Sequence, residues 1–207
     1  MDRPPLLQNG SARRAAPARV ALLVIDVVNP FDFEGADALL RHALPMAHRL
    51  AALKKRAQQA GVPIVYVNDN FDFWHLGLRE LVEHFRRERV PGVPIIDLLA
   101  PEIGADFYIL KPQHSGFFRT GLEVLLKRLE VETLVLTGLA GDICVLFTAN
   151  DAYMRGFRVV VPSDCVASER AEDNEHALRH MGRLLKADTS ASTDLDFDRL
   201  RGPIVSG

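Results

Sequence analysis

The sequence predicts an α/β fold: one domain with a doubly wound, mostly parallel, six-stranded sheet and helices on both faces. Three observations predict it. Short β-rich apolar segments recur along the 207 residues, a helix-compatible segment follows each of them, and the apolar segments are continuously hydrophobic rather than alternating. Continuous hydrophobicity indicates strands that are covered on both faces, as in a parallel sheet between two helical layers.

Five apolar segments are predicted strands, and a shorter sixth strand is expected near the carboxyl end. Gly61 and Gly156 mark two helix ends, because glycine readily adopts the left-handed conformation that closes a helix. Residues 91–94 are expected to form a turn and residues 189–193 a polar loop. The predicted strands are 20–25, 63–67, 105–110, 133–137, 157–161 and 185–188, and the predicted helices are 38–60, 74–89, 121–129, 142–155 and 171–185.

Composition indicates the class of protein and its compartment. Hydrophobic residues make up 48% of the chain and the formal net charge is −2, which fits one buried core and argues against nucleic acid or a membrane as partner. Residues 1–18 lack a long apolar run and are expected to form a flexible arm before a single domain at 19–207. The two cysteines form no C-x-x-C pair, so a reducing, cytoplasmic location is expected.

Three chemically different side chains follow three of the predicted strands: Asp26, Lys111 and Cys144. Ligands of open parallel sheets bind beyond the carboxyl ends of the strands, near the point where the strand order reverses. Cys144 follows a glycine turn and lies in the first turn of a predicted helix, whose amino end favours a thiolate. If the three residues converge, Lys111 would lower the pKa of the cysteine and Asp26 would accept its proton, which is the chemistry of acyl transfer.

Each of these residues also has a purely structural interpretation. Asp26 could cap a turn, Lys111 could be a surface cation in a salt bridge, and Cys144 could fill a small space in the core. Acids and lysines at strand ends are common, so the spacing alone leaves both interpretations open.

Four segments give the chain a family resemblance. Residues 22–31, 64–70, 109–117 and 135–145 resemble the isochorismatase-like cysteine hydrolases, relatives of the nicotinamidases and N-carbamoylsarcosine amidohydrolases, in both order and spacing. The resemblance extends from about residue 18 to residue 191 and implies a Rossmann-like fold. It also implies a catalytic triad in which Asp26 accepts and returns a proton, Lys111 stabilises the thiolate and the oxyanion, and Cys144 is the nucleophile.

The resemblance further implies a cis peptide bond between Leu139 and Ala140. Such a bond would turn the N–H of Ala140 toward the substrate beside the N–H of Cys144, which would give an oxyanion hole with two backbone donors. An ordinary trans turn is the alternative, because a non-proline cis bond costs about 3 kcal/mol.

The chain departs from the nicotinamidases at the loop after the second predicted strand. In those relatives an Asp-x-His pair there binds a metal, whereas here Asp69 is followed by Asn70 and Phe71. We therefore expect neither a metal nor another cofactor. An aspartate that orders its own loop backbone is the expected role of Asp69, and a different metal geometry with His75 is the alternative.

The cysteine at position 144 points to C–N or thioester-like acyl chemistry on a small molecule, so an amidase is the first expectation. The resemblance also suggests a homodimer or homotetramer. Side chains near the strand ends could form a substrate pocket, with His114 and Ser115 as further polar contacts, although each is individually more typical of core packing or of a lid. The predicted pocket residues are Phe31, Asn70, Trp74 and Phe117.

Other functions remain open from the sequence. One is a non-catalytic metabolite-binding protein on the same fold, and another is isochorismatase or nicotinamidase activity proper. Thiol redox chemistry between Cys144 and Cys165 is a third, although Cys165 is more typical of a buried structural thiol. His176 and His180 have a spacing that can bind zinc, but without a third ligand a surface position is expected.

Overall fold

The computed structural model describes residues 19–202, so the predicted arm at residues 1–18 lies outside the described residues. Strands and helices alternate along most of the chain, as the sequence predicts. The strands are β1 (Arg19–Ile25), β2 (Ile64–Asp69), β3 (Phe107–Lys111), β4 (Val131–Leu139), β5 (Arg158–Val160) and β6 (Val166–Ala167). The helices are α1 (Ala36–Gln59), α2 (Leu78–Glu88), α3 (Val93–Leu99), α4 (Leu122–Arg128), α5 (Leu146–Met154), α6 (Ala171–Leu184) and α7 (Phe197–Leu200).

Within the described residues the strands form one parallel sheet. Its order is β3-β2-β1-β4-β5, and β6 pairs with the end of β4. The chain builds outward from β1 to β3 and then crosses back to place β4 beside β1. The predicted parallel, doubly wound, six-stranded sheet is therefore confirmed, and the strand order reverses between β1 and β4.

The two faces of the sheet are covered by two separate apolar clusters. In β1, Val20, Leu22 and Val24 belong to the cluster that contains α1, α2 and α3. Their neighbours in the sequence, such as Leu23 and Ile25, belong to the cluster that contains α4, α5 and α6. Six of the seven β1 residues are buried, which explains the continuous hydrophobic run. No helix among residues 19–202 is both long enough and apolar enough to cross a bilayer.

The sixth strand does not lie where the sequence predicts it. Residues 185–188 form no strand, and only Asp188 makes a single bridge, to Val160. Helix α6 ends at Leu184, and Lys186 adopts a left-handed conformation (φ 56°) that turns the chain, so too little extended backbone remains to pair along β5. The sixth strand is instead β6, two residues long, which begins immediately after a 3₁₀ turn.

The region after α2 is more helical than the sequence predicts. The sequence predicts only a turn at 91–94, but α3 begins at Val93 and contains Pro94 in its first turn, where a proline ring is compatible with a helix. Helix α2 begins at Leu78 rather than at 74, and residues 74–77 belong to the loop that follows β2.

Candidate active site

The three predicted catalytic residues meet at the carboxyl edge of the sheet, where the strand order reverses. Asp26 directly follows β1, Lys111 is the last residue of β3, and Cys144 follows β4. Because β2 lies between β1 and β3, the long Lys111 side chain has to reach across one strand to meet Asp26. The sheet thus brings together three residues that are far apart in sequence.

Asp26 is held on both its backbone and its side chain. Its φ of 50° is left-handed, and its N–H donates to the carbonyl of Val67 at 3.0 Å. Its Oδ1 accepts the N–H of Asp69 at 2.7 Å, and its Oδ2 lies 2.8 Å from the Nζ of Lys111. A buried carboxylate fixed in this way presents a defined orientation to the neighbouring groups.

Lys111 is the electrostatic centre of the site. Its side chain is only 1% exposed, and its Nζ lies 2.8 Å from Asp26 Oδ2 and 4.0 Å from Asp69 Oδ2. The same ammonium group donates to the Sγ of Cys144 at 3.5 Å. Lys111 is therefore a buried cation, which excludes the interpretation of this residue as a surface lysine.

A glycine allows the end of β4 to approach β1 closely. Gly138 has a φ of +105°, and a Cβ added there would lie 2.0 Å from the carbonyl oxygen of Ile25. After Leu139 the chain enters a π-helical turn, Gly141–Val145, in which the N–H of Val145 donates to the carbonyl of Ala140 at 3.1 Å. Cys144 lies in this turn, which leads directly into α5.

The expected cis peptide bond is not present. No cis bond occurs in the described residues, so Leu139–Ala140 is trans, in contrast to the expectation from the resemblance. The trans form is intrinsically favoured for a non-proline residue, and the reversal of the chain is achieved instead by the positive φ of Gly138 and by the π-helical turn.

Burial raises the pKa of the Cys144 thiol to about 12; the Asp26 carboxylate adds to this rise and the Lys111 ammonium opposes it. At neutral pH the cysteine is therefore a thiol. Lys111 lowers the pKa of the thiol, as the sequence predicts, but burial outweighs this contribution. Because Asp26 hydrogen-bonds the thiol, the acceptor for its proton is already in place.

Burial and mutual attraction have opposite effects on the pKa values of Asp26 and Lys111. Burial raises the pKa of Asp26, although the charge and the hydrogen bond of Lys111 work in the opposite direction. Burial works to lower the pKa of Lys111, but Asp26, Cys144 and Asp69 together outweigh it and the pKa of Lys111 is raised. The ammonium form of Lys111 is thus stabilised beside the sulfur.

The four predicted pocket residues occupy different environments. Phe31 is buried in the cluster on the α1 face, and Phe117 is buried on the opposite face, where it packs against Phe157. Asn70 is buried and its Oδ1 accepts the N–H of Asp72, whereas Trp74 is 71% exposed. The structure therefore does not bring Phe31 and Phe117 together, and the substrate contacts of all four residues stay a prediction.

Asp69 orders its own loop, as expected. Its Oδ1 accepts the N–H of Phe71 at 2.8 Å, which fixes the turn after β2. His75 packs near the ring of Phe73, with 6.5 Å between the ring centroids. Among residues 19–202 no three His, Cys, Asp or Glu side chains form a group that could hold a metal ion.

The second cysteine lies on the other side of the sheet. Cys165 is fully buried in the cluster on the α1 face, whereas Cys144 packs against the cluster on the α5 face. Both thiols are free. A sheet therefore separates the two sulfurs, which argues against a direct redox exchange between them.

His114 is the site residue whose position the sequence did not reveal. Its Nδ1 lies 4.0 Å from the Sγ of Cys144, and its ring lies 5.4 Å from that of Phe147. The sequence suggested this histidine only as a polar contact of the pocket. Its position three residues after Lys111 was the available signal, because a turn at that point can direct the chain back over the same strand ends.

The parallel sheet and the buried acid–lysine pair beside a cysteine place the protein in a class of α/β enzymes with their site at the switch point of the sheet. The chain belongs to the isochorismatase family, because the family model described as Isochorismatase domain matches residues 20–192. It is a hydrolase of this family, with amidohydrolases among its relatives.

Three relatives illustrate this membership. The chain is 39% identical to an uncharacterized isochorismatase family protein of Bacillus subtilis, over 84% of this chain and 95% of that protein. It is 28% identical to maleamate amidohydrolase of Pseudomonas putida, over 75% of each chain. The solved structure of N-carbamoylsarcosine amidase from Thermoplasma acidophilum superimposes with a TM-score of 0.66 at 26% identity, over 86% of this chain and 99% of that one.

Proposed function

We propose that this protein is a cysteine-dependent hydrolase that cleaves a small amide or a related C–N acyl substrate through an acyl-enzyme on Cys144. The observation that carries the proposal is the contact of Lys111 Nζ with both Asp26 Oδ2 and Cys144 Sγ, at 2.8 and 3.5 Å. Similarity to maleamate amidohydrolase and N-carbamoylsarcosine amidase supports an amide-type substrate.

The first step forms the bond between sulfur and carbon. Because the pKa of the Cys144 thiol is raised to about 12, little thiolate exists before the substrate binds. In the proposed mechanism the thiol proton therefore moves to the Asp26 carboxylate as the sulfur attacks the carbonyl carbon. Lys111 stabilises the negative charge that passes from Asp26 to the sulfur and then to the substrate oxygen.

The tetrahedral intermediate carries an oxyanion that requires hydrogen-bond donors. The backbone N–H of Cys144, at the start of a helix, and the Lys111 ammonium are the proposed donors. Because the Leu139–Ala140 bond is trans, the N–H of Ala140 is not a proposed donor. When the C–N bond breaks, protonated Asp26 returns its proton to the leaving nitrogen.

The second step hydrolyses the thioester. Water adds to the acyl carbon, the C–S bond breaks, and the carboxylic acid leaves while the Cys144 thiol is restored. Over both steps the enzyme consumes one water for each C–N bond and needs no external cofactor.

A substrate panel with mass spectrometry tests the proposal. Small amides, ureas and nicotinamide analogues are incubated with the wild-type protein, and product and intact mass are measured. We expect turnover and an acyl adduct located on Cys144.

The variant Cys144→Ala should lose both while keeping its circular dichroism spectrum. Cys165→Ser is the matched control and should keep turnover, because Cys165 lies on the other face of the sheet. Turnover of an identified substrate by Cys144→Ala contradicts the mechanism.

A further inference from the structure

The sulfur of Cys144 has a buried side and an open side. Asp26 and Lys111 approach from the interior, with side chains that are 8% and 1% exposed. His114 is an exposed residue whose Nδ1 lies 4.0 Å from the same sulfur. The site therefore holds two groups able to accept a proton near Sγ, and they lie in different environments.

His114 is held over the sulfur by interactions of its neighbours. The N–H of Gly116 donates to Thr148 Oγ1 at 3.0 Å, and Ser115 Oγ donates to Asp151 Oδ2 at 2.5 Å. Thr148 and Asp151 are residues of α5, the helix that continues directly from the turn containing Cys144. The loop with His114 and the nucleophile are thus fixed to the same helix, which sets their relative position.

We propose that His114 is the base that activates the hydrolytic water in deacylation, an inference that rests on the function proposed above. A separation of 4.0 Å is longer than an ordinary hydrogen bond from nitrogen. It is suited to one water molecule placed between Nδ1 and the acyl carbon attached to Sγ, and a general base can act on such a water.

Asp26 is less accessible to water from solvent than His114 is. Its side chain is buried, its Oδ1 already accepts the N–H of Asp69, and its Oδ2 is paired with Lys111. Water reaches the acyl-enzyme from the solvent side, where His114 lies. The two proposed steps therefore use one buried base and one exposed base near the same sulfur atom.

The oxygen of water forms a bond to the acyl carbon while one of its protons moves to the unprotonated ring nitrogen of neutral His114. The tetrahedral oxyanion then collapses and the C–S bond breaks. The sulfur takes the proton from the His114 imidazolium, which restores the thiol and the neutral imidazole. No oxidant, reductant or metal ion takes part.

The test separates acylation from deacylation in His114→Gln and His114→Ala. With an amide substrate that the wild-type protein turns over, we expect a normal first turnover and a steady-state rate lowered about 100-fold. Intact mass should show the acyl group accumulating on Cys144 of the variants. Hydroxylamine, a nucleophile that needs less help from a base than water does, should restore release of the acyl group. His48→Gln, an exposed residue of α1, is the matched control and should behave like the wild type.

Two results overturn the role of His114. One is an unchanged steady-state rate in both variants, and the other is a first turnover slowed as much as the steady state with no accumulated adduct. Failure of the proposed function has a different signature, because wild-type turnover would then proceed without any adduct and would persist in Cys144→Ala.

Discussion

The Nζ of Lys111 lies 2.8 Å from Oδ2 of Asp26, although Lys111 ends β3, Asp26 follows β1, and β2 lies between these two strands. The Lys111 side chain spans the end of β2 and is almost completely buried. Removing a charge from water is costly, and each member of this pair is compensated mainly by the other. The pair therefore has to be considered as a unit, in stability as well as in catalysis.

The first prediction concerns the stability of this pair. Lys111→Met and Asp26→Asn should each lower the free energy of unfolding by about 3–5 kcal/mol, because the first leaves Asp26 without its counter-ion and the second leaves Lys111 with only the more distant Asp69. The double variant should be more stable than either single variant. Urea unfolding measured by circular dichroism provides the three values.

Lys127→Met, which breaks an exposed pair with Glu123, is the control and should change stability by about 0–1 kcal/mol. A double variant as unstable as the sum of both singles would contradict the coupling.

The second prediction concerns the pH dependence of activity. Asp26 has to be unprotonated to accept the thiol proton, and burial raises the pKa of this carboxyl above its ordinary value. As the pH falls through this raised pKa, kcat/KM should fall by about tenfold per pH unit. In Lys111→Met the acidic fall of the residual activity should shift to higher pH, because the charge that lowers the pKa of Asp26 has been removed. Stopped assays across acidic pH, with circular dichroism to verify folding, measure both profiles.

The third prediction concerns the turn before Cys144. Gly138→Ala should lower the free energy of unfolding by at least about 2 kcal/mol more than Gly104→Ala, because backbone overlap adds to the strain of a positive φ. Both glycines have a positive φ, but a Cβ at Gly138 would lie 2.0 Å from Ile25 O, whereas at Gly104 nothing lies within 4 Å. The midpoints and slopes of urea unfolding curves are compared for the two variants. Equal losses of stability would show that strain alone, rather than the close approach of β4 and β1, determines the cost.

The elements that could be predicted from the sequence are those whose signal is local. The apolar run of β1 indicated a strand buried on both faces, and its place in the sheet is confirmed. The convergence of Asp26, Lys111 and Cys144 could also be anticipated, because parallel strands end at one edge. The protonation state of Cys144 could not, because it depends on how deeply the thiol is buried and on its distance from Asp26.

Short or weakly patterned elements could not be predicted, because they too depend on contacts with other segments. Strand β6 has two residues, and only its pairing with the end of β4 makes it a strand. Helix α3 begins beside Pro91, Gly92 and Pro94, residues that indicate a turn unless the surrounding packing favours a helix. His114 became a site residue through hydrogen bonds between its loop and α5, which are contacts between distant segments.

The last prediction separates a structural ion pair from the catalytic one. Lys54 Nζ lies 2.9 Å from Asp106 Oδ2, donates to the carbonyl of Ala100 at 3.3 Å, and lies 5.3 Å from the centre of the Tyr66 ring. Both charged side chains are less than 10% exposed, so Lys54→Met should lower the free energy of unfolding by about 3–5 kcal/mol. The adjacent Lys55 is exposed and provides a matched control, since Lys55→Met should change stability by no more than about 0.5 kcal/mol.

Activity distinguishes this pair from the one at the site. At a temperature where Lys54→Met remains folded, its kcat should equal that of the wild type, because Lys54 packs in the cluster on the α1 face and makes no contact with Cys144. Lys111→Met should lose activity even where it is fully folded, because it removes the group that contacts both Asp26 and the sulfur. Urea unfolding and initial rates on the same preparations give both quantities. A folded Lys54→Met protein with kcat reduced as much as in Lys111→Met would show that the two buried lysines act together in catalysis.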